Sequence, residues 1–453
     1  MIRIEIAVAA VVLAAIVAYL LGKRHARRLQ RARRIRIDRF KLKRRHADIE
    51  LAVFGSHEVV QAVQAYAREH HVPTEAAMKQ ARQYLREIVP KFNLLAYYRI
   101  GGPVARGLMH FLYSPVVEQR PLPKDSVIVF VINHRSNADY VLVTHMLFEL
   151  VSLSYAVGEW ARIWPLNHIF KWFGAYFVRR RYREPLYHAV LSTFVRTITR
   201  NGVTQGIFIE GGLTRDGRLL EPKLGMLDYI VSSKRDPEFT APLVLIPTAI
   251  NYDRVLEDRN LTEESMGRED RSTRWEKLRT TLEFLFKNFW RGVFGRFKRY
   301  GYAVVRFGEP LVVDQWLREH PSVLDGEFAV RKPELRRLAD ALMARIRSVL
   351  PVTPVTLAAR IFAEASGPLT DREIAAAMDR ARDGNWLLRE TNGAEAWRAA
   401  RRLLELRGLV VPTERWRSDL FEGEPGPTLE DAWLWNPAEL LLRTYYANLG
   451  SGL

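Results

Sequence analysis

The stretch Val127-Ile128-Val129-Phe130-Val131-Ile132-Asn133-His134-Arg135-Ser136-Asn137-Ala138-Asp139-Tyr140, VIVFVINHRSNADY, decides how the chain is read. Six consecutive apolar residues, mostly β-branched, with turn residues behind them predict a buried strand. Polar residues begin where that strand ends, and Asn137-Ala138-Asp139 leads into an apolar segment predicted helical over Tyr140–Leu150. Ligands gather at the carboxyl ends of strands in α/β sheets, so His134 and Asp139 fall where chemistry is expected. Across a tight turn, the carboxylate can hold one imidazole nitrogen and leave the other as a base. Such a pair activates a hydroxyl. An isolated His-x4-Asp often arises by chance, and its plainer reading is a capped helix with a buried histidine.

The neighbouring strands change that balance. Gly174–Arg181 (GAYFVRRR) reads as a short apolar strand ending in Arg179, Arg180 and Arg181. Arginines at a strand end suit a phosphate through bidentate hydrogen bonds, and a solvated basic surface is the alternative. Gly206–Ile209 is a third strand, followed by Glu210-Gly211-Gly212 and by Arg215 and Lys223. Paired glycines let backbone approach a ligand closely and present N–H groups to an anion. Leu243–Pro247 forms a fourth strand, running through a Pro turn into Ala249–Asp253. Together the four boundaries describe a site for a phosphorylated, hydroxyl-bearing acceptor.

At 453 residues and 48% hydrophobic content, the chain has room for two or three domains with ample core. The absence of cysteine excludes disulfides, zinc–thiolate sites and cysteine nucleophiles. His57-Glu58-Val59-Val60-Gln61 lacks the second histidine of a zinc motif, so no metal is expected. The net charge of +18 calls for acidic partners. Thirteen Lys/Arg against Asp38 place +12 of it between Lys23 and Arg45, leaving +6 for the rest.

That basic block follows the apolar run Ile6–Leu21, slightly short of the ~20 residues of a spanning helix. With basic residues behind it and no cleavage signal, the reading is a signal anchor over residues 1–22. The basic segment, 23–47, would then lie against anionic membrane lipids on the cytoplasmic side. The expected localisation is the cell inner (plasma) membrane, single-pass, with the catalytic domain cytoplasmic. A nucleic-acid-binding arm is the alternative to the membrane reading, and no nucleic-acid partner is expected.

Residues 48–119 read as helical, 120–350 as the α/β unit and 351–453 as a mostly helical region. Trp160, Trp164 and Trp172 suit an apolar tunnel or ordinary core packing. Glu276–Lys298 has the aromatic and basic pattern of a helix at a membrane surface or on a core. Thr370-Asp371-Arg372-Glu373 is a capping box. The helix, turn and strand over Trp397–Pro412 have a winged-helix rhythm, although the acids in Asp419–Asp431 disfavour nucleic acid.

Four blocks in order resemble the glycerol-3-phosphate acyltransferase family: His134–Tyr140 (HRSNADY), Gly174–Tyr187 (GAYFVRRRYREPLY), Glu210–Leu227 (EGGLTRDGRLLEPKLGML) and Ile246–Val255 (IPTAINYDRV). The resemblance covers roughly residues 80–360. It implies a central mixed β-sheet flanked by helices. It also implies a membrane-bound acyltransferase acting on the sn-1 hydroxyl of glycerol 3-phosphate to give lysophosphatidic acid. His134, oriented by Asp139, would be the base, and the acyl donor a thioester of coenzyme A or acyl carrier protein, with no cofactor. Arg135, Ser136, Arg179, Arg180, Glu210, Gly211, Gly212, Arg215, Lys223 and Pro247 are the substrate-binding candidates.

The third block in that family usually reads EGGRS, and here Leu213 and Thr214 replace the Arg-Ser pair. Lysophosphatidic acid and dihydroxyacetone phosphate are therefore alternative acceptors. A non-enzymatic membrane adaptor is the reading from a different class. A serine hydrolase is disfavoured, because the sequence carries no G-x-S-x-G elbow.

Overall fold

The computed structural model describes residues 46–90, 97–118, 121–123, 125–148, 154–157, 171, 174–179, 182–267, 299–382, 385–386, 388–413 and 432–451. The predicted anchor, the basic block, Trp160, Trp164, Trp172, Arg180, Arg181, the Glu276–Lys298 helix and Asp419–Asp431 lie outside these residues. Among the described residues, no helix is long and apolar enough to cross a membrane.

The centre is a mixed sheet of β1 (Ser114–Val117), β2 (Val127–Ile132), β3 (Ser154–Val157), β4 (Tyr176–Phe177), β5 (Gln205–Phe208), β6 (Leu243–Tyr252), β7 (Tyr302–Phe307) and β8 (Leu311–Val312). Its order is β1-β7-β6-β2-β5-β3-β4, with β8 beside β6. Strand β2 pairs parallel with β5 and β6, while β7 and β8 run antiparallel to β6.

Successive side chains of a strand point to opposite faces, and β2 divides accordingly. Ile128, Phe130 and Ile132 join one buried cluster; Val127, Val129 and Val131 join the other. Both faces are covered, which is why the strand reads as an unbroken apolar run rather than an alternating one. Each such side chain contributes about 1.5–3 kcal/mol on burial. The valine face receives the helices His57–Glu69, Thr74–Ile88, Pro185–Arg200, Leu224–Val231 and Phe328–Ser348. The opposite face receives Gly102–Leu112, Asp139–Leu147 and the C-terminal helices.

Two sequence expectations change here. Ser114–Val117 lies in the segment read as helical, yet it pairs with β7 as a half-buried edge strand. Four residues at an edge carry too little periodicity to be distinguished. Pro247 does not end its strand, because β6 runs on to Tyr252. Its carbonyl accepts from Gly308 N–H, so its missing N–H faces the same side. There the partner changes from β8, opposite Val244 and Leu245, to β7, opposite Thr248–Tyr252. The proline occupies the gap between the two ladders, where no donor is needed.

The C-terminal residues form helix Pro354–Glu364, β9 (Leu369–Thr370), helices Asp371–Arg380 and Gly393–Leu406, then β10 (Val410–Pro412) and β11 (Ala432–Trp435). The antiparallel order β10-β11-β9 completes a winged-helix arrangement. Thr370 and Glu373 make the expected reciprocal cap. A last helix, Leu440–Ser451, packs on Pro354–Glu364 and on Asp258–Ser265. Its Leu442, Tyr445, Tyr446 and Leu449 share one buried cluster with Phe130 and Ile250 of the sheet.

Candidate active site

The carboxyl end of β2 lies between β5 and the long β6, with Ile132 opposite both Phe208 and Thr248. Asn133 extends this arrangement beyond the strand. Its side-chain amide donates to the Ile250 carbonyl at 3.0 Å and accepts from Ile250 N–H at 2.7 Å, as a strand backbone would. The chain then turns, and Asp139 opens the next helix, where the peptide dipoles favour negative charge.

Asp139 is fully buried and its carboxylate is saturated. Oδ2 accepts from His134 Nδ1 at 2.9 Å, Arg135 N–H at 2.7 Å and Ser136 N–H at 3.1 Å. Oδ1 accepts from the Tyr252 hydroxyl at 2.6 Å. A carboxylate only accepts, so Nδ1 of His134 carries the proton and Nε2 keeps its lone pair. The imidazole lies flat on Phe208, with centroids 4.2 Å apart, and meets the edge of Tyr140. Among the described residues, no hydrogen bond engages Nε2. The arrangement is a fixed tautomer with one basic nitrogen directed away from its carboxylate.

Glu210, expected to bind substrate, is instead part of the scaffold. Its Oε1 accepts from His134 N–H at 2.9 Å and its Oε2 from Leu220 N–H at 2.7 Å. Burial raises its pKa, opposed by the Arg135 charge and the two N–H donors. Ser136 is likewise taken up: its hydroxyl donates to Glu257 at 2.7 Å, and Glu257 also accepts from Asn137 N–H at 3.2 Å. Glu257 is itself pushed upward, chiefly by burial.

The candidate cations divide. Arg135 is fully buried, and its Nη1 donates to the Gly217 and Arg218 carbonyls at 2.7 and 3.2 Å, clamping the third block's loop. Its Nε and Nη2 have no hydrogen-bond partner among the described residues. Arg179 is committed elsewhere. It forms a bidentate pair with Glu87 at 2.8 and 2.7 Å, against the Tyr182 ring. It also follows β4, three strand positions from β2, roughly 14 Å at ~4.8 Å per strand. Arg215 is exposed and pairs with Glu264 at 2.9 Å.

Lys223 is exposed, and its stem lies over Gly211, whose φ of +67° suits glycine. Its ammonium forms no hydrogen bond or ion pair among the described residues. Gly212 is open, with no atom of the described residues within 4 Å of where a Cβ would stand. Pro247 is buried in the sheet and serves the strand switch. The structure thus brings His134, Asp139, Gly211, Gly212 and Lys223 around one sheet edge, and directs Ser136, Arg179, Glu210 and Arg215 to partners within the protein.

Sequence reasoning missed Tyr252 and Glu257 as site residues. The available signal was Asn251-Tyr252-Asp253, a polar run within a segment otherwise apolar enough to be buried.

Residues 115–251, which hold this His–Asp turn, match the acyltransferase family model. Residues 286–449 match the glycerol-3-phosphate acyltransferase C-terminal region. A glycerol-3-phosphate acyltransferase of Aeromonas hydrophila subsp. hydrophila is 30% identical over 343 residues, 72% of this chain and 41% of that protein. Another, of Actinobacillus succinogenes, is 30% identical over 271 residues, 58% of this chain and 32% of that protein. The chain is similar to glycerol-3-phosphate acyltransferases over these residues. It spans less than half the length of these curated relatives. A solved 1-acyl-sn-glycerophosphate (LPA) acyltransferase from Thermotoga maritima aligns at 17% identity and a TM-score of 0.31, covering 63% of this chain and 95% of that one.

Proposed function

We propose that this chain transfers a fatty acyl group from a thioester of coenzyme A or acyl carrier protein to the sn-1 hydroxyl of glycerol 3-phosphate. The observation that carries the proposal is the Nε2 of His134, unengaged among the described residues, opposite an Nδ1 held by Asp139 at 2.9 Å. In this reading Nε2 takes the acceptor's hydroxyl proton as the oxygen attacks the thioester carbonyl. The tetrahedral intermediate collapses by breaking the C–S bond, and the imidazolium returns the proton to the thiolate. The products are lysophosphatidic acid and free thiol. The thioester is already activated, so positioning and base catalysis suffice. Open backbone at Gly212 and the ammonium of Lys223 suit the acceptor's phosphate. The apolar run and basic block at residues 1–47 support attachment to the cell inner membrane, with the site on the cytoplasmic side.

A second reading takes lysophosphatidic acid as acceptor. It is favoured by Leu213, which packs on the buried apolar cluster where the family pattern has an arginine.

The test supplies labelled acyl thioester with each acceptor to wild type and to His134→Ala, in membranes or detergent. Transfer to glycerol 3-phosphate should fall at least about 100-fold in the variant, the usual contribution of a positioned base. Transfer only to the lysolipid would select the second reading. Equal transfer by both proteins would overturn His134 as the base.

A further inference from the structure

The Tyr252 hydroxyl lies 2.6 Å from Oδ1 of Asp139, the oxygen that does not face His134. It comes from β6, a different strand from the one that ends at His134. Tyr252 is fully buried, with its ring against Tyr113 at 5.3 Å. Its hydroxyl has no competing role, since the carboxylate is its hydrogen-bond acceptor. The same strand holds Asn133 through Ile250, two residues earlier, so β6 fixes the turn and the carboxylate together.

We propose that Tyr252 is a positioning residue which, by donating to Asp139, sets how strongly that carboxylate holds the proton on His134 Nδ1. The inference rests on His134 acting as the base. A carboxylate sharing its charge with a phenol is a weaker acceptor toward the imidazole than one without it. Tyr252 therefore tempers the hydrogen bond between Asp139 and His134 Nδ1.

The titratable and charged groups around the pair come from several elements. His134 and the Arg135 N–H of the turn bond the carboxylate, and Glu257, which follows β6, interacts with it electrostatically. Glu210, which follows β5, accepts from His134 N–H, Tyr140 meets the His134 ring, and Tyr113 lies against Tyr252. The Tyr113 hydroxyl donates to the Arg254 carbonyl at 2.7 Å, not to Asp139. Tyr113→Phe is thus a control that removes a neighbouring buried hydroxyl and leaves the carboxylate untouched.

The experiment compares full-length wild type, Tyr252→Phe and Tyr113→Phe. The first readout is the far-downfield proton resonance of His134 Nδ1–H, assigned by its absence in His134→Ala. It should move downfield in Tyr252→Phe and stay in place in Tyr113→Phe. The second readout is the acid limb of the transfer rate against pH, which should move to higher pH by roughly one unit in Tyr252→Phe alone. An unmoved resonance in Tyr252→Phe, or equal shifts in both variants, would overturn the proposal. A shifted resonance without acyl transfer in wild type would overturn the proposed reaction and leave the coupling standing.

Discussion

At Gly217 the backbone has a φ of +86°, and a Cβ would collide with the Tyr445 carbonyl oxygen of the last helix. At Gly212, in the same loop, no atom of the described residues lies within 4 Å of that position and no positive φ is required. Gly217→Ala should therefore cost at least about 2 kcal/mol in urea unfolding. Gly212→Ala should change stability by no more than about 0.5 kcal/mol. If the acceptor's phosphate approaches the Gly212 backbone, its KM should nonetheless rise. An unchanged KM would move the phosphate elsewhere. The sequence showed the glycines as a set and could not divide them, because the obstruction at Gly217 comes from a helix more than two hundred residues away. His134 and Asp139 were legible for the opposite reason: five residues and one turn suffice to join them.

Strand β6 illustrates the same division among elements. Its apolar half was readable, but its end was misplaced at Pro247, since the change of partner that tolerates proline is a property of the sheet. Beyond it, Asn251 donates to the Pro351 and Leu449 carbonyls at 2.8 and 2.9 Å. Asp253 accepts from Tyr302 N–H at 2.7 Å and Val355 N–H at 3.0 Å, fastening β7 and the first helix of the C-terminal region.

Burial pushes the Asp253 carboxyl up to about 6, opposed by those N–H donors. Between about 3.9, its unfolded value, and 6 the native state binds the extra proton. This group's contribution to stability is therefore fullest below about pH 4 and is lost as pH rises through 6. Unfolding free energies of wild type and Asp253→Asn, measured from pH 4.5 to 7, should differ in slope. Wild type should lose about 2 kcal/mol relative to the variant across that range. Parallel pH profiles would show that Asp253 is not the group responsible.

Across the whole molecule, the C-terminal helices and the sheet are joined through shared contacts. Asn448 donates to the Asp216 carbonyl at 2.7 Å, and the Tyr446 hydroxyl bonds Asp258. Arg407 pairs with Asp258 at 2.6 Å, and Tyr446 with Leu449 completes the cluster on the Phe130 face. Calorimetry should accordingly record one cooperative transition for the α/β unit and the C-terminal helices. Ending the chain after Glu439, which removes the Leu440–Ser451 helix, should abolish that transition rather than trim it. A truncated protein retaining a sharp transition and native near-ultraviolet dichroism would show that the α/β unit stands alone.

The sequence by itself determined the buried strand, the turn behind it, the His–Asp spacing and the capping box at Thr370. All are local, set by periodicity and by side chains within a few residues of one another. Only the tertiary structure decided which polar residues are left to the open edge and which are taken up by partners within the protein. Glu210 turns to the His134 backbone, Arg179 to Glu87, Arg215 to Glu264 and Ser136 to Glu257, while Tyr252 arrives at Asp139 from another strand. A buried or half-buried polar group takes the nearest partner that satisfies it. That partner is chosen by strand order and helix packing, which spacing along the chain does not encode.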